Sequence, residues 1–147
     1  MTIDELLARE EIRHLMAVYN TAGDSLREEE FASVFSDDAE LCTTQLTFKG
    51  KSAIIDGLFR SVSERRPTAA RPRFVRHNLT TSTVVFDSAS LARGRTYFQV
   101  NTDIGLDHCG VYVDEFRKEA NGWKISRRVV KTEYLAENSY FKRGRLD

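Results

Sequence analysis

The chain changes character near residue 74, and that change constrains its fold more than any other feature. From there on, runs rich in Val, Thr, Phe and Tyr are separated by turn signals at Asp87-Ser88-Ala89-Ser90, near Asp103-Ile104-Gly105 and at Asn121-Gly122. β-Branched and aromatic residues suit a pleated, half-buried surface. The pattern predicts four long strands, Phe74 to Phe86, Leu91 to Thr102, Leu106 to Lys118 and Trp123 to Tyr134. Asn121-Gly122 is the clearest hairpin turn, with the charged residues before it pointing to some extra loop.

The first half is helical. Thr2 and Glu5 form a T-x-x-E capping box, so a first helix is expected from about Ile3 to Ala22. Its apolar stripe is Ile3, Leu6, Leu7, Ile12, Leu15, Met16 and Tyr19. Gly23 suits the left-handed conformation that ends helices, and Asp24 follows at the inner end. Ser25 with Glu28 repeats the capping pattern, predicting a short helix through Phe31, Val34 and Phe35. Asp37-Asp38 then turns into a strand from Ala39 to Leu46. The turn Lys49-Gly50-Lys51-Ser52 leads to a third helix, with a stripe of Ile54, Ile55, Leu58, Phe59 and Val62. Arg65 to Pro72 holds both prolines and reads as a loop.

Helices followed by antiparallel strands is the order of an α+β layer fold. Three helices on one face of a strongly curved sheet leave a cone, a natural pocket for a small molecule. With 147 residues and neither repeat nor linker, one domain over 1–147 is expected. Lys plus Arg is 22 and Asp plus Glu is 22, which offers no electrostatic case for nucleic acid or a membrane surface as partner. The dense arginines Arg60, Arg65, Arg66, Arg71, Arg73 and Arg76 read as solvated loop and strand edge. Cys42 and Cys109 lack any C-x-x-C spacing and read as reduced thiols. The N-terminus shows no signal-peptide pattern, and no run approaches the roughly 20 apolar residues of a membrane helix. A soluble, cytoplasmic protein is expected. His14, His77 and His108 have no ligand spacing, and no phosphate or dinucleotide fingerprint occurs, so neither metal nor cofactor is expected.

Several short motifs share a single order along the chain. These are Tyr19-x-x-x-x-Asp24, Phe35-x-x-Asp38-Ala39, Arg76-His77, Gly110-x-Tyr112-x-Asp114-x-Phe116 and Gly122-Trp123-x-Ile125-x-x-Arg128. Together the sequence resembles the SnoaL-like group of the NTF2-like (cystatin-like) superfamily, which includes scytalone dehydratase, the bile-acid 7α-dehydratase, hexachlorocyclohexane dehydrochlorinase and ketosteroid isomerase. The resemblance implies a curved antiparallel sheet with helices closing a cone, and it implies site roles for Asp24, His77, Tyr19 and Arg128. The second histidine of scytalone dehydratase falls near Thr102 here and is missing. His108, on the following strand, is inferred as a substitute. Relatives of this fold form dimers or trimers, and the polar-aromatic row Arg93, Arg95, Tyr97, Gln99 and Asn101 suits such a homodimer or homotrimer interface.

Strand alternation puts His108, Gly110 and Tyr112 on one face and Arg128, Val130 and Thr132 on another, both assigned by the resemblance to the pocket. His77, with an ordinary pKa of roughly 6.5, serves as general base and Asp24 orients it. Tyr19 and Arg128 hydrogen-bond a developing oxyanion or a departing hydroxyl. The expected function is a cofactor-independent, dehydratase-type lyase acting on a polycyclic, steroid-like or aromatic small molecule. Two alternatives stay open: an isomerase or polyketide cyclase with the same base, and a non-catalytic binding or assembly module. Read from the residues alone, Asp24 fits equally as the N-cap of a helix beginning near Leu26. His77 then reads as a core or interface histidine, Tyr19 as a core aromatic, and Arg128 as the partner of an acid such as Glu133. His108 reads as a turn-proximal pair with Asp107, and His14 as a helix-surface residue.

Overall fold

The computed structural model describes residues 1–60 and 71–142. Helix α1 spans Ile3–Asp24 and α2 spans Glu28–Ser33. Strands β1 (Phe35–Cys42) and β2 (Thr47–Lys49) follow, then α3 (Lys51–Ile54), which continues as a π-helical turn over Ile55–Arg60. The second half is β3 (Arg76–Phe86), β4 (Leu91–Thr102), β5 (Gly105–Glu119) and β6 (Gly122–Leu135). Six strands form one curved, unclosed sheet in the order β2-β1-β6-β5-β4-β3. Val62 and most of the expected Arg65 to Pro72 loop lie outside the described residues. Among the described residues, no helix is long and apolar enough to cross a membrane.

The four long strands stand where composition places them, with ends shifted by a residue or two. The first half departs further. Phe35 opens β1 instead of closing the short helix, because Ile125 N–H donates to Val34 O (2.8 Å) and draws the chain into the sheet. The strand expected from Ala39 to Leu46 begins at Phe35 and stops at Cys42, and residues 43–46 turn the chain back into the three-residue β2. β1 runs parallel to β6, whereas every other pairing is antiparallel. The capping box of α1 is half made: Thr2 Oγ1 accepts from Glu5 N–H (3.1 Å), while the Glu5 carboxylate pairs with Arg9. Ser25 does not cap α2. Its N-cap is Arg27, with no side-chain bond.

α1 does not stop at Gly23. It continues through Asp24, and the left-handed residue is Leu26 (φ 57°). Its buried stripe begins at Ala8 and continues through Ile12, Leu15, Met16 and Tyr19. Ile3 (76% exposed), Leu6 and Leu7 are left in solvent, because the helix meets the sheet only from the second turn, where Arg9 donates to Val84 O. On β4, Arg93, Arg95, Tyr97 and Gln99 lie exposed on the convex face, and Ala92, Thr96, Phe98 and Val100 are buried beneath the helices.

Two features lock β5 to β6. The first is a bulge at Gly110, where a Cβ would lie 2.0 Å from Lys131 O. Only glycine permits backbones to approach so closely. The hairpin itself turns through Ala120-Asn121, and Gly122 (φ 113°) opens β6. The second feature is a buried ion pair. Asp114 and Arg128 are cross-strand partners, and Arg128 donates from Nε and Nη2 to the two Asp114 oxygens (2.7 and 2.8 Å). Neither side chain is exposed. The guanidinium packs against two rings set edge to face, 4.2 Å from the Tyr19 centroid and 4.0 Å from that of Tyr112. Burial opposes its charge, but Asp114 outweighs that and holds the Arg128 proton more firmly than in free arginine.

Two substitutions test this frame. Gly110→Ala forces β5 and β6 apart and lowers unfolding free energy by about 3 kcal/mol in urea denaturation. Asp114→Asn keeps shape but leaves a buried cation without its counter-charge, and the same measurement should show a loss of about 3–5 kcal/mol.

Candidate active site

The sheet curves around a cavity of about 740 Å³ enclosed by α1, the π-helical turn and the concave strand face. Its floor is aromatic: Tyr19 and Phe31 from the helices, with Tyr112 stacked on Phe98 (centroids 4.4 Å apart, 15° between planes). Leu41, Phe48, Leu58 and Val130 extend the apolar lining, and Thr43, Thr132 and Glu133 add polar groups. Alternation on β6 therefore places Val130 and Thr132 on the wall, as their spacing requires.

Asp24 and His77 meet on that wall. The carboxylate, on the last residue of α1, makes two contacts with one residue of β3. Oδ2 accepts from the His77 backbone N–H (2.9 Å), and Oδ1 lies 2.6 Å from Nδ1. The Asp24 side chain is 7% exposed and that of His77 24%. A carboxylate on Nδ1 selects the tautomer with hydrogen on that nitrogen, leaving Nε2 for an exchangeable proton. This pairing also explains why α1 continues past Gly23: the carboxylate at its end is anchored to the neighbouring strand.

His108 faces the same cavity. His77 and His108 are both registered to Val100, from opposite sides of β4, and their rings lie 6.5 Å apart, edge to face. His108 Nδ1 lies 2.7 Å from Asp107 Oδ1. Asp107 is fully buried and also accepts from Ser139 Oγ and Tyr140 N–H (2.9 Å), which pins the segment after β6 against the site. From that segment Phe141 packs on the His108 ring at 4.9 Å. Burial pushes the proton affinity of His108 down; Asp107 opposes the shift and His77 adds to it.

Tyr19 lines the floor, with burial raising its phenol pKa and Arg128 pulling against the rise. Arg128 does not reach the cavity wall. It sits behind the two tyrosine rings and pairs with Asp114, not with Glu133, which lines the cavity. Sequence reasoning passed over Tyr112 as a site residue, although its alternation with His108 marks the face it occupies. Burial raises its phenol pKa well above the ordinary value. The pairing of His108 with Asp107 read from the sequence is present, but it is buried and not solvent-facing; Phe141 was missed. Among the described residues, no three His, Cys, Asp or Glu side chains converge as a metal site.

Comparison with known proteins agrees with this architecture. A SnoaL-like domain model matches residues 4–129. No curated protein sequence matches. Among solved structures, LinA is 27% identical over 91% of each chain, with a TM-score of 0.77. The hexachlorocyclohexane dehydrochlorinase LinA-type3 from Novosphingobium barchaimii LL02 is 25% identical, covering 91% of this chain and 92% of its own, with a TM-score of 0.76. A protein described as a scytalone dehydratase from Novosphingobium aromaticivorans DSM 12444 is 21% identical over 93% of this chain and 91% of its own, at a TM-score of 0.76, a likeness of fold. The chain belongs to the SnoaL-like domain family, within the NTF2-like superfamily.

Proposed function

We propose that this protein is a lyase of the dehydratase type, acting on a hydrophobic ring compound without help from a cofactor. The observation that carries this reading is the Asp24 carboxylate clamped on both the backbone and the ring of His77 at the wall of a mostly apolar cavity. Nε2 of His77 takes a proton from a carbon next to a carbonyl, and Asp24 stabilises the imidazolium. The carbon–hydrogen electron pair forms a carbon–carbon double bond as the carbon–oxygen bond breaks. The imidazolium returns its proton to the departing hydroxyl, and water leaves. Tyr19 and Tyr112, held protonated by burial, supply hydroxyl donors for the developing oxyanion. Arg128 acts through those rings, as a positioning residue. An apolar cavity strengthens each of these interactions by excluding water.

A second reading, an isomerase, draws on His108. In it the His77 imidazolium gives the proton it took back to another carbon of the same substrate and is neutral again, with the second imidazole 6.5 Å away beside that path. The two readings differ in mass: dehydration removes water from the substrate, while isomerisation leaves its mass unchanged and exchanges deuterium from the solvent.

Screening polycyclic β-hydroxy ketones by mass spectrometry should find a substrate that loses water. His77→Gln should lower that rate by about 10²–10⁴-fold. Asp24→Asn, which keeps a hydrogen-bonding side chain but not the charge, should lower it by about 10³-fold or more at similar KM. Full activity in folded His77→Gln would overturn the assignment. A pH effect follows from His108. Its depressed proton affinity keeps it neutral in the native state where the unfolded chain, titrating near the ordinary value of about 6.5, takes up a proton. Stability should therefore fall as pH drops from about 6.5 through the native value. His108→Gln should flatten that part of the curve of urea midpoint against pH.

A further inference from the structure

The cavity holds a second imidazole that the proton abstraction at His77 does not use. His108 Nδ1 lies 2.7 Å from Oδ1 of the wholly buried Asp107. The other donors around that carboxylate fix the sense of this bond. Tyr140 N–H fills Oδ2 (2.9 Å), and Ser139 Oγ, which itself accepts from Phe141 N–H (2.9 Å), turns its hydroxyl hydrogen to Oδ1. An ionised carboxylate only accepts, so the imidazole hydrogen sits on Nδ1. Burial lowers the proton affinity of this ring, so its second nitrogen stays bare at neutral pH. That nitrogen, Nε2, has no hydrogen-bond partner among the described residues, yet it is not one of the buried atoms. It keeps accessible surface, and the ring lines the cavity between Phe98 and Phe141. An unpaired acceptor thus opens onto an aromatic corner of the cavity.

We propose that Asp107 is a positioning residue that holds His108 as a hydrogen-bond acceptor, and that Nε2 of His108 binds a hydroxyl of the substrate. This narrows the substrate class to ring compounds with a free hydroxyl, since an ether or a halide in the same place offers Nε2 no hydrogen. The two imidazoles then divide the work. Each carries its hydrogen on Nδ1 against a carboxylate, but the His108 side chain is 12% exposed and that of His77 24%. Burial disfavours an imidazolium more strongly at His108, so the mobile proton stays with His77. A hydroxyl that donates its hydrogen to His108 keeps its oxygen lone pairs free for the proton that His77 returns. The carbon–oxygen bond then breaks and water leaves. The role of Asp107 rests on the lyase reading only for this last step.

The test is long-range hydrogen–nitrogen NMR correlation on the intact wild type at neutral pH, with the His108 signals assigned as those absent from His108→Gln. Nδ1 should appear protonated and Nε2 unprotonated. Adding β-naphthol should move the Nε2 signal toward that of a hydrogen-bonded nitrogen, and its methyl ether should not. In calorimetry the naphthol should bind about tenfold more tightly than the ether, the equivalent of one neutral hydrogen bond. In Asp107→Asn the Tyr140 N–H remains a fixed donor, so the amide turns its oxygen there and its NH2 toward His108. The ring hydrogen then moves to Nε2, and the preference for naphthol should fall to within about twofold. Ser139→Ala separates positioning from anchoring: it should lower the melting temperature yet leave the tautomer and the preference unchanged. A protonated Nε2 in the wild type, no binding of naphthol, an Nε2 signal that naphthol leaves in place, or a folded Asp107→Asn with the wild-type tautomer would overturn the proposal. If Asp107→Asn does not fold, the wild-type measurements decide. A protein that meets these expectations but has no dehydratase activity overturns the lyase reading and leaves the role of Asp107 standing.

Discussion

The pairing of Arg128 with Asp114 is the interaction on which the rest of the molecule depends. A guanidinium removed from water is tolerable only when a counter-charge with good geometry meets it. Here the carboxylate lies directly across the strand pair, and two aromatic rings set nearly at right angles to each other pack against the cation. One ring comes from α1 and the other from β5, so the cation joins helix to sheet as well as strand to strand. The same two rings form the cavity floor. The charge thus stays in the protein interior, behind the rings that the cavity meets.

Asp24 works on a smaller scale. A single contact to an imidazole would leave the ring free to swing about its β-carbon. Binding the backbone N–H of the same residue with the second oxygen ties the carboxylate to β3 itself, so the ring and its partner share one rigid frame. Positioning of this kind is what proton transfer from carbon requires, because small misplacement of the base is costly in rate. The second imidazole is held differently: Asp107 takes its Nδ1 from within the core and secures a distant stretch of chain with its remaining capacity.

Much of this was legible in the residues. Asp24 and His77 stood out through motif order, and alternation along β6 placed Val130 and Thr132 correctly. The four long strands were marked by composition. Other features depend on pairing that no local pattern encodes. Asp114 becomes the partner of Arg128 only through the register across the bulge at Gly110. Phe35 leaves its helical pattern because Ile125 pairs beside it, a case of tertiary contact overriding propensity. The left-handed residue is Leu26 and not Gly23, since the anchored carboxylate extends the helix by one more residue.

The parallel seam between β1 and β6 carries a consequence for the order of assembly. The first strand of the chain finds its neighbour in the last, so that edge of the sheet cannot zip up by local hairpin growth. Contacts between distant segments are slow to form because the intervening chain must be gathered first. During synthesis, Asp114 emerges from the ribosome before the cation that will neutralise it, and β1 waits on a ragged, unsealed flank. The hollow itself is therefore among the last features to appear, and its maturation is timed by the arrival of the C-terminal hairpin arm.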